Sequence, residues 1–184
     1  KIHIVEPGLE AIVKKAVENG KLKASLTPVH SDAYLIAVPT PFKGDDHTPD
    51  LSYIQAVSEA LAPLLEKGDV VILESTSPVG ATEQMVAWLA AARPDLTFPK
   101  YHEPDNEADI YVAYCPERVL PGKVVEELIS NDRIIGGMTK DSTKKAQEVY
   151  RIFVEGDLLA TNSRTAEMAK LTENASRDVS IAFA

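Results

Sequence analysis

Polar side chains that could bind a ligand or move a proton stand directly after three apolar segments of this 184-residue sequence. They are Thr40, which follows Pro39, after the first segment, Glu74 and Thr76 after the second, and Glu117 and Arg118 after the third. Hydroxyl and main-chain groups in such positions can contact a ribose or a phosphate, and a carboxylate can act as a general acid or base. Because the carboxyl ends of parallel strands lie at one edge of a sheet, we expect the three groups to meet there. A structural interpretation stays open, since Ser and Thr also cap helices.

Glu117 and Arg118 raise a specific question, because they place opposite charges side by side where an apolar run ends. The chain then continues through Pro121 and Gly122, which is typical of a turn. One interpretation is an ordinary exit turn in which the two charges pair at the surface. The other is a site in which the carboxylate does acid–base chemistry and the guanidinium binds an anionic group.

The last helical segment, residues 163–184, carries a further group of candidate residues. At about 100° per residue, Lys170, Asn174 and Arg177 fall on one narrow face and present an ammonium, an amide and a guanidinium. A separate apolar face is expected to form the packing seam and consists of Met168, Leu171, Ala175, Val179 and Ala182. The alternative is a solvated polar face whose charges form ordinary pairs three or four positions apart. The acidic residues available for such pairs are Glu167, Glu173 and Asp178.

Charge and composition narrow the classes of function. Lys and Arg total 19 against 28 Asp and Glu, which gives a net charge of −9 and argues against nucleic acid as a general partner. A local cation can still bind one anionic ligand. The sequence shows no signal peptide and no segment of membrane-spanning length. A single cysteine excludes an internal disulfide framework and fits a reducing compartment, so a cytoplasmic location is expected.

Neither the cysteine nor the histidines indicate a reactive centre. Cys115 lies inside an apolar run before a proline, and an unpaired cysteine in such a place is usually a small buried residue rather than a nucleophile. The four histidines show no metal-binding spacing, and the sequence "HEPD" at residues 102–105 is typical of a loop of mixed charge. We expect no metal site.

Strand-like and helix-like segments alternate along the chain. Short apolar runs predict strands at residues 32–40, 69–76, 108–117, 133–138 and 157–162. Helical spacing predicts helices at residues 10–20, 51–68, 79–95, 126–130, 141–156 and 163–184, with a polar loop at 41–50. This alternation predicts an α/β fold, namely a Rossmann-like parallel sheet with flanking helices. No strand, G-x-G-x-x-G turn and helix open the chain, so we expect the first βαβ unit to be lacking. The last helix has no stop signal and reads as the start of a long central helix.

Four motifs in order, "VPTP", "ESTSPVG", "YCPERVLPG" and "AEMAKLTENASRDVSIAFA", make the chain resemble the nucleotide-sugar 6-dehydrogenases. This is the UDP-glucose/GDP-mannose dehydrogenase family, and the resemblance covers essentially all 184 residues. UDP-glucose dehydrogenases typically have Asn-Pro-Glu-Phe-Leu where this chain has "CPERV" at residues 115–119. The Arg-Val version points to the N-acetylhexosamine branch.

The resemblance implies an NAD-dependent four-electron oxidation of the C6 alcohol of a UDP-N-acetylhexosamine to the uronic acid. UDP-N-acetyl-D-mannosamine is the expected substrate, two NAD⁺ are used in succession, and the product feeds surface-polysaccharide synthesis. Cofactor-binding residues are expected to be Pro39, Thr40, Glu74 and Thr76. Substrate-binding residues are expected to be Arg118, Val119, Lys170, Asn174 and Arg177. Catalytic roles fall to Lys170, which would stabilise the negative oxygen at C6, to Glu117, which would serve the hydrolytic step, and to Asn174.

The chain departs from the family pattern in two places. It has neither the glycine-rich NAD turn nor the Gly-Gly-His-Cys type motif that holds the family's cysteine nucleophile, and Cys115 matches a different motif. We therefore expect an internal fragment that is inactive by itself. Residues 1–163 would form a truncated NAD-binding domain, and residues 164–184 the start of a central helix that pairs two subunits. Two alternatives stay open: a dehydrogenase for UDP-glucose or UDP-N-acetylglucosamine, and a non-catalytic nucleotide-binding or assembly module.

Overall fold

The computed structural model describes residues 6–101, 103 and 106–184. The helices are α1 (Leu9–Glu18), α2 (Ser52–Leu61), α3 (Ala81–Ala92), α4 (Val124–Ser130), α5 (Lys140–Tyr150) and α6 (Ser163–Phe183), with a 3₁₀ turn at Ala62–Leu64. The strands are β1 (Ala33–Ile36), β2 (Phe42–Lys43), β3 (Thr48–Pro49), β4 (Val70–Leu73), β5 (Tyr111–Tyr114), β6 (Arg133–Gly137) and β7 (Leu158–Asn162). The expected division at residue 163 coincides with the first turn of α6, and two separate domains stay a prediction.

Five strands form one sheet in the order β1-β4-β5-β6-β7. Strands β1, β4 and β5 are parallel, and Ile36, Leu73 and Tyr114 are neighbours at their carboxyl ends. The side chains of each strand alternate between two apolar clusters, as the period of two requires. One cluster contains Val71, Leu73 and Tyr114 and lies under α2 and α3, while the other lies under α5. The predicted α/β sheet with flanking helices is confirmed.

The sheet is mainly parallel, as predicted, but the pairing of β5 with β6 departs from that prediction. Strand β6 runs antiparallel to β5, and β7 is parallel to β6. A parallel neighbour requires a connection that crosses the face of the sheet. Helix α4, between β5 and β6, has seven residues and none of them is buried, so it does not form such a crossover. The chain therefore re-enters the sheet at the edge where it left β5, and Arg133 lies at that edge.

The predicted polar loop at residues 41–50 was also wrong in part, because it forms a two-stranded antiparallel hairpin from β2 and β3. Thr48 Oγ1 donates to Asp46 Oδ2 over 2.6 Å, and Lys43 pairs with Asp50 over 2.7 Å. Strands of two residues leave too little apolar periodicity in the sequence to reveal a hairpin.

Among residues 6–101, 103 and 106–184, no helix combines the length and apolar character needed to cross a bilayer. Within the same ranges, no group of three or more His, Cys, Asp or Glu side chains is arranged to hold a metal ion. His3, His102 and Asp105 lie outside the described residues, and the structure does not bear on them.

Candidate active site

The three polar strand ends identified in the sequence meet at one edge of the sheet, as predicted. The loops that follow β1 and β4 are tied together by hydrogen bonds. Val38 N donates to Ser75 Oγ over 2.7 Å, and that hydroxyl donates to Val38 O over 2.7 Å. Thr40 Oγ1 donates to Thr76 O over 2.6 Å, with both threonines half-buried. The two loops therefore form one surface that presents threonine side chains and main-chain groups.

The other two residues expected at the cofactor have different surroundings. Pro39 is exposed on the loop after β1. Glu74 extends toward α5, where its Oε1 accepts a hydrogen bond of 2.5 Å from the hydroxyl of Tyr150. Burial raises the pKa of Glu74 above its ordinary value. A cofactor-binding role for Glu74 stays a prediction, since its carboxylate already has an internal partner.

Glu117 and Arg118 do not form the surface ion pair that the exit-turn interpretation requires. The Glu117 carboxylate accepts the Arg118 backbone N–H over 2.7 Å and lies 3.6 Å from the guanidinium of Arg133. The Arg118 side chain instead pairs with Glu173 of α6 over 3.1 Å. Since its side chain is 39% exposed, Glu117 can be reached from solvent.

Lys170 joins the last helix to this strand end. Its ammonium donates to the backbone carbonyl of Glu117 over 2.7 Å. Asn174 lies about one turn further along α6 and Arg177 about two turns, and Arg177 Nη2 donates to Asn174 Oδ1 over 3.2 Å. The polar stripe predicted on this helix therefore faces the strand end that carries Glu117 and Arg118.

A cavity of about 310 Å³ lies between the strand end and the helix, and Arg118, Val119, Lys170 and Arg177 all line it. Asn174 reaches it through its hydrogen bond with Arg177. This volume is at the small end for ligand sites. A larger cavity of about 620 Å³ beside β1 and α2 is lined by apolar residues apart from Ser31 and Tyr34. Of these two cavities, the smaller one has cationic groups able to bind an anion, although Glu127 and Glu173 also line it.

The loop that carries Arg118 and Val119 is held by acidic and amide side chains. Leu120 N donates to Glu127 over 2.8 Å, and the Asn131 amide donates to the carbonyl of Arg118 over 3.0 Å. Glu6, which is buried, accepts two further backbone N–H groups, those of Gly122 and Val124. It lies far from this loop in the sequence, so periodicity could not identify it.

The predicted packing seam of α6 was wrong. Met168 is 53% exposed and Val179 is 69% exposed, whereas the buried residues of the helix are Ser163, Ala166 and Glu167. Only the first turns of α6 lie on the sheet. There a Cβ added at Gly136 of β6 would lie 2.7 Å from the Cβ of Ala166, so glycine permits this close approach. The apolar stripe that follows projects away from the sheet.

Glu167 has a different role from the surface pair that the sequence suggested. It is fully buried and accepts hydrogen bonds from Gly80 N, Thr82 N and Thr82 Oγ1, over 2.6, 2.8 and 2.6 Å. These groups belong to the first turn of α3, which begins at Gly80 without a side-chain cap of its own. Burial raises the pKa of Glu167. The missing Ser, Thr or Asp at the start of α3 was the signal that an outside residue would cap this helix.

Cys115 is fully buried, and desolvation raises the pKa of its thiol to about 11. A thiol with that pKa is neutral at ordinary pH and is a poor nucleophile. The prediction that Cys115 is a buried apolar residue is confirmed.

The chain is similar to known proteins over its whole length. The chain is 64% identical over 184 residues to a UDP-N-acetyl-D-mannosamine dehydrogenase of Salmonella typhi. The match covers 100% of this chain and 43% of that protein. The chain is 60% identical over 184 residues to an NDP-N-acetyl-D-galactosaminuronic acid dehydrogenase of Ralstonia nicotianae, again with 43% of the relative covered. The solved UDP-N-acetyl-mannosamine dehydrogenase of Staphylococcus aureus superimposes with a TM-score of 0.87 at 42% identity, over 100% of this chain and 42% of that one.

The chain thus spans less than half the length of the relatives it matches. Residues 1–154 match the model of the NAD-binding domain of one dehydrogenase family. Together with the high identity over the whole chain, this match shows that the chain belongs to the UDP-glucose/GDP-mannose dehydrogenase family.

Proposed function

We propose that the protein containing this chain is an NAD-dependent nucleotide-sugar 6-dehydrogenase. Its substrate is a UDP-N-acetylhexosamine, UDP-N-acetyl-D-mannosamine, and its product is the corresponding uronic acid. The observation that carries the proposal is the polar cavity in which Lys170 and Arg177 of α6 face Arg118 and Val119 beside Glu117. The Salmonella typhi relative, which is 64% identical and is named a UDP-N-acetyl-D-mannosamine dehydrogenase, supports the choice of substrate.

The loops after β1 and β4 fit a nicotinamide cofactor. Thr40 and Thr76 bring a hydroxyl and main-chain groups together at the carboxyl edge of a parallel segment of the sheet, where dinucleotides bind in such folds. The N-terminus of α3 is already satisfied by Glu167, so these amides are not free for a phosphate. NAD⁺, when bound, accepts the hydride that leaves C6.

Lys170 has the position and charge to stabilise oxygen at C6. The C6 oxygen becomes more negative as hydride leaves, and a fixed cation in a partly dry cavity lowers the energy of that state. The ammonium is half-buried and held by the carbonyl of Glu117, so it needs little reorganisation. Arg118 and Arg177 supply further positive charge for the diphosphate, although the chain as a whole is negative.

Glu117 is proposed to act at the hydrolytic step. Hydrolysis of an acyl-cysteine intermediate needs a base that accepts a proton from water. The water oxygen forms a bond to the acyl carbon, and the carbon–sulfur bond then breaks to release the cysteine thiolate. The solvent-accessible carboxylate of Glu117, whose backbone carbonyl binds Lys170, meets this need, and Asn174 assists by orienting the neighbouring Arg177. The attacked acyl group is carried by the cysteine of the family's Gly-Gly-His-Cys type motif, which is not among these 184 residues.

The same proposal includes a homodimer formed through α6 in the cytoplasm, as part of surface-polysaccharide synthesis. The exposed apolar residues Met168, Val179, Ile181 and Phe183 of this helix support pairing. The unpaired thiol of Cys115 suits a reducing compartment. Sedimentation of the full-length protein tests this part, and a monomer at high concentration contradicts it.

The substrate is tested with a panel of UDP-sugars and the full-length protein that contains this chain. NADH formation should be fastest with UDP-N-acetyl-D-mannosamine and should reach two NADH per sugar oxidised. Faster turnover of UDP-glucose or UDP-N-acetylglucosamine would instead support the alternative substrates. No turnover of any nucleotide sugar would support a binding or assembly module.

The role of Glu117 is tested by Glu117→Gln, with Glu126→Gln as the control. Glu126 is an exposed residue of the nearby helix α4, and its substitution makes the same change in charge. Glu117→Gln should form NADH in the first turnover and then accumulate an acyl-enzyme visible by intact-protein mass spectrometry. Glu126→Gln should behave as wild type. An unmodified mass with normal turnover for Glu117→Gln would refute this role.

A further inference from the structure

Arg133, the first residue of β6, is a buried charge that the proposed mechanism has not used. Its side chain is 4% exposed. A guanidinium in such surroundings needs partners, because an unpaired buried charge is strongly destabilising. Its Nη2 donates to Leu128 O over 3.3 Å, whereas its Nε is buried without a hydrogen-bond partner. Among the described residues, its ion-pair partner is Glu117, whose Oε2 lies 3.6 Å from Nη1.

The direction of β6 creates this contact. Ala113 pairs with Gly137 and Tyr114 pairs with Gly136 in the antiparallel ladder. Continued toward the start of β6, the same register brings Arg133 opposite Glu117. Opposite charges at facing positions of an antiparallel pair attract each other. A parallel β6 would have put Arg133 at the other edge of the sheet.

The guanidinium is held in place from the side away from the cavity. It lies over the ring of Tyr150 at 5.1 Å and over the ring of Phe153 at 5.8 Å. Tyr150 in turn donates to Glu74, and the backbone N–H of Arg133 donates to Asp157 O over 2.8 Å. Arg133 is thus fixed by the sheet and by α5, whereas Glu117 is on a partly exposed loop.

We propose that Arg133 is a positioning residue for Glu117. The Arg118 backbone N–H holds Oε1 of Glu117, and the Arg133 guanidinium attracts Oε2, so the carboxylate is held at two points, while Lys170 binds the backbone carbonyl of the same residue. This arrangement orients the Glu117 carboxylate to accept a proton from the attacking water. The inference rests on the proposed role of Glu117 in hydrolysis.

A purely structural role makes a different forecast. Arg133 also lies close enough to Glu74 to stabilise its charge. If that were its whole function, removal of the guanidinium would lower stability and affect the hydride and hydrolysis steps alike. If Arg133 acts through Glu117, removal should slow hydrolysis selectively.

The test is a double-mutant cycle in the full-length protein, with Arg133→Met, Glu117→Gln and the pair. Methionine keeps an apolar stem against the two rings and removes the charge. Rapid mixing with NAD⁺ and UDP-N-acetyl-D-mannosamine separates a burst of NADH from slow hydrolysis of the acyl-enzyme. Arg133→Met should leave the burst rate unchanged and slow hydrolysis about 10- to 100-fold. In the Glu117→Gln background, Arg133→Met should not slow hydrolysis further, because the effects of two substitutions that act through one group are not additive.

Two further variants provide controls. Arg133→Lys keeps the charge but offers a single ammonium to the two acceptors, Leu128 O and the Glu117 carboxylate. Its rate of hydrolysis should therefore fall less than that of Arg133→Met. It also replaces methionine in the cycle if Arg133→Met does not fold. Arg151→Met removes a nearby exposed guanidinium that binds the carbonyls of Val154 and Gly156, and should leave hydrolysis unchanged.

The outcomes separate this inference from the proposed function. Accumulation of acyl-enzyme by Glu117→Gln but not by Arg133→Met would overturn the positioning role alone. The positioning role would also be overturned if Arg133→Met slowed the hydride and hydrolysis steps equally. It would be overturned as well if Arg133→Met lowered the rate of hydrolysis equally in the wild-type and Glu117→Gln backgrounds. If Glu117→Gln hydrolyses the intermediate normally, both proposals fail together.

Discussion

Two carboxylates near Lys170, those of Glu167 and Glu117, have opposite surroundings. Glu167 is fully buried and accepts three hydrogen bonds of 2.6 to 2.8 Å from the first turn of α3. Glu117 is partly exposed and has one short bond, from a backbone N–H, with Arg133 at a longer distance. Glu167 is therefore not available to a ligand, whereas Glu117 is. Exposure and unused hydrogen-bonding capacity therefore distinguish a structural carboxylate from one that can do chemistry.

The structural carboxylate also makes the chemical one possible. Glu167 joins the start of α6 to α3, and the ion pair of Arg164 with Glu83 joins the same two helices. These contacts set the rotation of α6 about its axis. Lys170 lies less than one turn beyond Glu167 and consequently points at Glu117. The contrast between the two carboxylates leads to four predictions.

The largest effect is expected for Lys170→Ala in the full-length protein. Loss of the cation proposed to stabilise the C6 oxygen should slow the hydride steps by roughly two to three orders of magnitude. Single-turnover NADH formation measures this loss. Lys144→Ala, on the exposed side of α5, is the matched control and should show a normal rate. A near-normal rate for Lys170→Ala would mean that the ammonium is only a helix-to-loop tie.

Glu167→Gln should mainly affect stability. Glutamine keeps one acceptor oxygen but turns an NH₂ group toward an N–H donor, so either Gly80 or Thr82 loses its partner. An unsatisfied buried group costs about 1–3 kcal/mol of the free energy of unfolding. Urea-induced unfolding measures the change. Unaltered stability would show that water or a shifted α3 can replace the carboxylate.

Glu74→Gln should change how stability depends on pH. Burial raises the pKa of Glu74 above 4.5, so the folded state favours the protonated form. Its stabilising contribution is fully present below the unfolded pKa and is lost as pH rises through the folded pKa. Arg133 and Tyr150 oppose this shift, and Glu117 reinforces it. From about pH 4 upward, the Tm of the variant should therefore rise relative to that of the wild type. Parallel curves would contradict the effect of burial.

The smallest effect is expected for Glu173→Gln, which removes the partner of Arg118. Both side chains are more than a third exposed, and exposed ion pairs contribute about 0.2–1 kcal/mol. The free energy of unfolding should fall by no more than this. A loss as large as that of Glu167→Gln would remove the distinction between exposed and buried carboxylates.

Much of the fold and part of the site could be predicted from the sequence. Apolar runs and helical spacing identified all five strands of the main sheet and every helix, since each element must bury one side of itself. The strand ends at Thr40, Thr76 and Glu117 were found from residue type alone. Lys170, Asn174 and Arg177 were grouped correctly because a helix fixes their angular separation.

Tertiary structure alone decided the direction of β6 and the buried face of α6. It also decided the partners of four charged residues, namely Glu6, Glu117, Arg133 and Glu167. A run such as "RIIGG" has the same periodicity in a parallel and an antiparallel strand, so the position of Arg133 beside Glu117 depended on the path of α4. Helix α6 has an apolar stripe and a polar stripe, and the first turn of α3 determined which side was covered. Glu6 and Glu167 cap helices more than 80 residues away. Periodicity describes one element at a time, and these contacts arise only when the elements pack together.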